Sequence, residues 1–263
     1  MSAVAVLLAA PGTSCPQAQA ALDAIGRAAA RRAPGVLIRW AFTSGGVRRK
    51  LAAQGRPAPD AAEALAALRA AGATRVAVLP LHLVDGMEFA ELAGTAAEFE
   101  SGAAAFDRVV VGTPLLASAG GFRRALAAFL AGLPPRATDE AAVLVAHGSR
   151  DPQGARTFAA AAARSLEMDA RCFLGMIIGE PGKDAVITAC RAAAVRKVWL
   201  APFTVAAGQG TRDDIAGAGP GSWRSALERA GLACETRMTG LAEVPGAVEV
   251  WMDELARLLA ELG

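Results

Sequence analysis

One pattern occurs twice in this chain. VAVLLAAPGTS at 4–14 and AAVLVAHGS at 141–149 are each an apolar run that turns into a small-residue loop. A second pair follows at similar depth, TRVAVLPLHLVDGMEF at 74–89 against RKVWLAPFTVAAGQG at 196–210. Register on Pro80 and Pro202 sets Gly86 opposite Gly208 and Glu88 opposite Gly210. Self-similarity on this scale makes the chain two copies of one supersecondary unit, so any fold proposed for one half must serve the other.

Short β-rich apolar runs alternate with longer alanine-rich amphipathic segments along the whole length, which is the pattern of parallel strands joined by crossover helices. The expected strands lie near 3–9, 36–42, 75–82, 107–112, 141–146, 171–178, 196–203 and 233–238. Helices are expected near 16–33, 46–54, 60–71, 88–100, 120–131, 153–167, 182–192, 222–230 and 246–262. Asp60 and Asp184 stand where helix caps belong, and Gly72 and Gly231 where a left-handed residue ends a helix. The proline-broken stretch GLPPRATDE at 132–140 reads as the linker. The expected architecture is α/β, with two similar lobes, each a parallel sheet flanked by helices. Residues 1–135 form the N-terminal lobe and 136–263 the C-terminal lobe, with a cleft between them.

Charge and composition exclude several classes of function. A net charge of +2 lacks the basic excess that phosphate-driven nucleic-acid affinity needs. The 54% hydrophobic content is swollen by alanine, and no apolar run approaches the ~20 residues of a spanning helix. MSAVAVLLAAPGTS has no basic leader segment and reads as a first strand, which with the scattered cysteines Cys15, Cys172, Cys190 and Cys234 points to a reducing, cytoplasmic setting. The chain contains no nucleophile elbow, Walker A sequence or HExxH, and its glycine-rich pieces do not follow a first strand as a dinucleotide fingerprint requires.

In open parallel sheets ligands sit beyond the carboxyl ends of the strands. His147 and the loop carrying Glu88 both lie at such ends. His82, inside the apolar run LPLHL, reads first as a satisfied core imidazole. Glu88 has two readings, negative charge placed at a helix N-terminus or a functional carboxylate. A neutral imidazole that handles a divalent ion and a carboxylate that accepts protons would together suit metal insertion into a macrocycle, where two pyrrole protons leave as the metal enters.

The chain resembles the anaerobic cobalt chelatases, the sirohydrochlorin cobaltochelatases of the CbiK type, which share the two-lobed class II chelatase fold with protoporphyrin ferrochelatase. The resemblance runs from end to end. It rests on GTS at 12–14, AFTSGGVRRKL at 41–51, LPLHLVDGMEF at 79–89, GTPLLAS at 112–118, AHGS at 146–149, AAG at 206–208, GPGSW at 219–223 and TGLAEVPGAV at 239–248. It implies a tetrapyrrole cleft, metal held by His147, and Glu88 as proton acceptor. Substrate contacts are implied for Thr13, Ser14, Gly86, Met87, Phe89, Ser149, Gly208, Gln209 and Gly210. A second family histidine falls on Gly210, and a family acid falls on Ile178 with Glu180 two residues away.

The resulting metal set is His147, Glu88 and Glu180, with Met176 or water as a further donor. The implied activity is nucleotide-independent insertion of cobalt, with Fe²⁺ or Ni²⁺ as alternatives, into a tetrapyrrole such as sirohydrochlorin. The other reading is a degenerate chelatase that carries or senses haem or another tetrapyrrole. Arg48, Arg49 and Arg212 are candidates to meet the acidic arms of the substrate, and alanine-rich helix faces would allow homo-oligomers.

Overall fold

The computed structural model describes residues 3–101 and 105–263, which form two compact units. One comprises residues 1–118 and 248–263, and the other residues 119–247. In the first, β1 (Ala3–Ala10), α1 (Pro16–Arg32), β2 (Leu37–Phe42), α2 (Gly45–Ala53), α3 (Ala61–Ala70), β3 (Ala73–Pro80), α4 (Met87–Ser101) and β4 (Arg108–Val111) follow in order. The second holds α5 (Ala119–Ala131), β5 (Glu140–Gly148), α6 (Pro152–Met168), β6 (Cys172–Ile178), α7 (Lys183–Ala192), β7 (Lys197–Pro202), α8 (Gln209–Ala216), α9 (Trp223–Arg229) and β8 (Ala233–Thr236). The final helix, α10 (Pro245–Leu262), returns from Val248 onward to the first unit.

Each unit is built on a four-stranded sheet, ordered β2-β1-β3-β4 in one and β6-β5-β7-β8 in the other, with every described pairing parallel. The two orders are the same when counted within each unit, so the repeat seen in the sequence is a repeat of topology. Helices cover both faces, which is why β1 and β5 read as continuous apolar runs rather than as alternations. In β1, Ala5, Leu7 and Ala9 pack with Leu65 and Leu68 of α3 and Leu92 of α4, while Val6 and Leu8 are buried on the other face. In β5, Ala141, Val143 and Val145 pack with Val186 of α7, Ile215 of α8, and Trp223 and Leu227 of α9.

Local chemistry explains most of the punctuation. Asp60 caps α3 through a reciprocal box in which its carboxylate accepts from the Glu63 N–H and the Glu63 carboxylate accepts from the Asp60 N–H. Gly72 and Gly231 carry φ of +88° and +85°. Asp184, by contrast, is not a cap: Gly182 occupies that position and Asp184 lies in the first turn of α7. The segment 209–216, left without a helix in the sequence reading, forms α8.

The packing units also differ from a division at 135/136. The 132–140 stretch connects α5 to β5 inside the second unit, because Phe122 and Phe129 of α5 meet Phe203 edge-on at ring-centroid distances of 6.3 and 5.7 Å. Most of α10 belongs to the first unit: Arg32 pairs with Glu249 and Asp253, and the Glu254 carboxylate accepts from the Thr113 N–H. Each exchange follows a terminal helix whose apolar or charged partners lie on the other half of the sequence.

Candidate functional site

In a sheet of order 2-1-3-4 the connections leaving the first and third strands run to opposite sides, and the crevice for ligands opens between their carboxyl ends. The loops concerned are those after β1 and β3 in the first unit and after β5 and β7 in the second. Most candidate residues from the sequence fall on these loops or on the helix starts that follow them; His147 is at the end of β5 itself, Glu180 follows β6, Met176 lies within β6, and Arg48 and Arg49 lie on α2 after β2.

On the first unit, the β1 loop carries Thr13 and Ser14. Thr13 is 9% exposed, and its hydroxyl accepts from the Cys15 N–H at 3.1 Å, so it shapes the loop. The β3 loop returns to the core through Leu81, whose N–H donates to Ala9 at 2.7 Å, and it leads into α4 at Met87. The Gly86 carbonyl accepts from the Ala90 N–H, which makes Gly86 the residue from which the helix departs. Met87 stands 62% exposed on the first turn, and Glu88 beside it is half-buried.

Glu88 is not only a charge at a helix end. The Thr43 hydroxyl, just beyond β2, lies 3.2 Å from Glu88 Oε2 and 2.9 Å from His82 Nε2. His82 is 5% exposed, and burial lowers its pKa to about 4, so the ring is neutral at pH 7. Phe89 closes over it edge-on at 6.2 Å. Beside this trio lies a cavity of about 150 Å³ lined in part by Thr43, Arg48, Asp60, Glu88 and Glu91. Arg48 is paired with Asp60 at 2.7 Å, and the capping Glu63 N–H, aided by that pair, holds the Asp60 carboxyl below its usual range. The sequence reading missed Thr43; the signal available was its place in the quoted AFTSGGVRRKL stretch directly after a strand.

On the second unit, His147 is exposed at the end of β5, and among the described residues its ring has no hydrogen-bond partner. Next to it, Gly148 pairs with Ile178 of β6. Ser149 is turned to the backbone, its hydroxyl accepting from the Asp151 N–H at 3.1 Å, and Asp151 in turn caps α6. After β7, Gly208 caps α8 and its carbonyl accepts from the Arg212 N–H, as Gly86 does for Ala90. Glu88 and Gly210 are therefore both the second residue of equivalent helices, in the register the repeat predicts. Gln209 is engaged with Asp213 at 2.8 Å.

Three secondary candidates make contacts of their own. Arg212 donates to the carbonyls of Ala207 and Met238, so its guanidinium braces a loop. Met176 is 2% exposed, which puts its thioether in the core. The exposed Glu180 accepts from the Gly182 N–H at 2.7 Å ahead of α7, and it borders a groove of about 380 Å³ whose other lining residues are alanines, Leu166, Phe173, Leu174, Pro181 and Val186. Among the described residues, neither unit gathers three or more His, Cys, Asp or Glu side chains into a group able to hold a metal. No described helix is long and apolar enough to cross a membrane.

Comparison with known proteins agrees with this layout. The model of the family "Cobalt chelatase (CbiK)" matches residues 4–259. The sirohydrochlorin cobaltochelatase CbiKC of Nitratidesulfovibrio vulgaris is 36% identical over 265 residues, covering 100% of this chain and 93% of its own. The sirohydrochlorin cobaltochelatase of Salmonella typhimurium is 29% identical over 223 residues, covering 83% of this chain and 82% of its own. Among solved structures, SirB from Bacillus subtilis with Fe³⁺ superposes with a TM-score of 0.67 at 15% identity, covering 99% of this chain and 97% of that one, which is a likeness of fold.

Proposed function

The chain belongs to the cobalt chelatase (CbiK) family, and on that premise we propose that it inserts a divalent metal, cobalt in the first instance, into sirohydrochlorin without a nucleotide. The observation that carries this reading is the pairing of roles across the repeat. At the crevice end of its sheet, one unit presents a half-buried carboxylate, and the other an exposed imidazole.

The reaction balances without a co-reactant: the metal ion enters the ring, four ring nitrogens become its ligands, and two N–H protons leave. Glu88 accepts those protons one at a time and returns them to water, for which its half-exposed position suits it. His147 offers an imidazole nitrogen as a transient ligand and hands the ion on, as a borderline divalent metal allows. Glu180 is exposed beyond the end of β6 and is the further oxygen donor in this reading. Met87 and Phe89 give apolar surface beside Glu88 for a flat ring. The four cysteines are free, which fits a reducing cytoplasm.

The test is a Soret-shift assay with purified protein, sirohydrochlorin and Co²⁺, Ni²⁺ or Fe²⁺. Multiple turnovers above the uncatalysed rate that disappear in His147→Ala and Glu88→Gln support the enzyme. A saturating, stoichiometric spectral change without turnover would replace this reading with a tetrapyrrole carrier.

A further inference from the structure

The trio of buried His82 and half-buried Thr43 and Glu88 in the first unit has a directional logic that the proton-accepting role of Glu88 alone does not supply. The Thr43 hydroxyl has one hydrogen and three polar neighbours: His82 Nε2 at 2.9 Å, Glu88 Oε2 at 3.2 Å and the Ala10 carbonyl at 3.3 Å. A carboxylate and a carbonyl only accept. Were Nε2 unprotonated as well, three acceptors would compete for one hydrogen. Placing the imidazole hydrogen on Nε2 removes the conflict, because the ring then donates to the hydroxyl oxygen. The Ala10 carbonyl already accepts from the Thr43 N–H at 2.8 Å, and a charged acceptor makes the stronger bond, so the hydroxyl hydrogen goes to Glu88.

Among the described residues, His82 Nδ1 has no hydrogen-bond partner. A bare lone pair there is less costly than a buried, unpaired N–H, which again selects the Nε2–H form. The residue is also held in place: the Leu115 N–H donates to the His82 backbone carbonyl at 3.1 Å, and Phe89 packs edge-on against the imidazole.

We propose that His82 and Thr43 are positioning residues for the Glu88 carboxylate, the imidazole Nε2–H orienting the hydroxyl so that its hydrogen is delivered to Oε2 and Oε1 is left for the substrate. This inference rests on the role given to Glu88 above. The chain of bonds runs one way, His82 to Thr43 to Glu88. His82 is not the next stop for a substrate proton, since its burial opposes a charged ring. Protons leave Glu88 toward water instead. Fixing one oxygen matters because a carboxylate free to rotate spends part of its time with neither lone pair aimed at a ring N–H.

Single-turnover and steady-state cobalt insertion into sirohydrochlorin tests the chain of bonds. Thr43→Val, nearly isosteric, lowers kcat about tenfold or more with KM for the tetrapyrrole within twofold, the size expected for one hydrogen bond to a charged group. Thr43→Ser restores it. His82→Phe falls as far as Thr43→Val, whereas His82→Gln, which keeps an N–H donor near the position of Nε2, recovers most of the loss. The Thr43→Val/His82→Phe double variant is no slower than Thr43→Val alone, because the two residues act through one bond.

Nitrogen-15 NMR gives a readout independent of turnover. With only two histidines to resolve, the His82 ring shows the Nε2–H tautomer at pH 7. Wild-type kcat in Thr43→Val while Glu88→Gln is inactive would overturn the positioning chain and leave the role of Glu88 intact. Independent, multiplicative losses in the double variant, or a proton on Nδ1, would overturn it as well. Full activity in Glu88→Gln would remove the proton acceptor and this inference together.

Discussion

Gly148→Ala isolates a constraint that sits directly beside the proposed metal-handling imidazole. Gly148 ends β5 with φ of +82°, a conformation that costs an L-residue roughly 1–2 kcal/mol. The larger problem is contact. A Cβ placed there would lie 1.8 Å from the Ile178 carbonyl oxygen and 2.8 Å from its carbon, both backbone atoms of the neighbouring strand. No rotamer relieves a clash with backbone, so the ends of β5 and β6 must part by more than an ångström and give up the Gly148–Ile178 pairing. Overpacking on this scale adds about 1–3 kcal/mol, for a total of about 2–5 kcal/mol.

For a unit of this size that is a fall in melting temperature on the order of 10 °C. Thermal unfolding followed by circular dichroism measures it, and a Co²⁺ titration reports whether His147, carried on the displaced strand end, still binds. Gly210→Ala is the internal control. Gly210 lies in the first turn of α8 with no heavy atom within 4 Å of the added Cβ, so alanine there is neutral or stabilising by up to about 1 kcal/mol. Equal melting temperatures for Gly148→Ala and wild type would refute the reasoning from strand contact.

Other perturbations have equally definite outcomes. Gly210→His introduces an imidazole where the structure has room and where the resemblance noted in the sequence would place one; isothermal titration should show Co²⁺ bound at least tenfold more tightly, and no change would discredit that placement. His82 has its pKa depressed from 6.5 to about 4 by burial, so the unfolded chain binds the extra proton first. The contribution of His82 is therefore fully present above pH 6.5 and is lost as pH falls toward 4, up to about 3 kcal/mol, and His82→Phe should flatten that part of the pH–stability curve measured by denaturant titration. Burial pushes the thiols of Cys172 and Cys234 up to about 12 and that of Cys190 to about 11. Mass spectrometry after iodoacetamide treatment at pH 8 should find all three unmodified until the protein is unfolded. Asp60→Ala removes the cap of α3 and should cost about 1–2 kcal/mol, nearly all from the lost N–H bond, since its ion pair with Arg48 is half in water.

By itself the sequence determined the elements that are strongly periodic or locally punctuated. All eight expected strands are present, and β1, β3 and β5 were the plainest to read because burial on both faces leaves a run of small and branched side chains with no polar alternation to confuse it. The repeat aligns Gly86 with Gly208 and Glu88 with Gly210, and in the structure each glycine carbonyl accepts from the N–H four residues on as its helix begins. The same alignment makes α8 the counterpart of α4, while its polar composition, QGTRDDIA, hides it from hydrophobic patterning.

Tertiary structure decided what depends on partners remote in the chain. Whether α10 covers the first or the second sheet is a matter of which surface offers Arg32 and Thr113 to its carboxylates, and no local signal carries that. The guanidinium of Arg212 rests on two loop carbonyls 5 and 26 residues away, partners that no local pattern names. His82 is neutral because packing buries it, and its link through Thr43 to Glu88 exists because the β3 loop and the first turn of α4, 39 and 45 residues from Thr43 in sequence, converge on one hydroxyl beyond β2. Hydrogen bonds of that kind are decided by which atoms packing brings within 3 Å, and a linear pattern of residue types encodes them only through the fold.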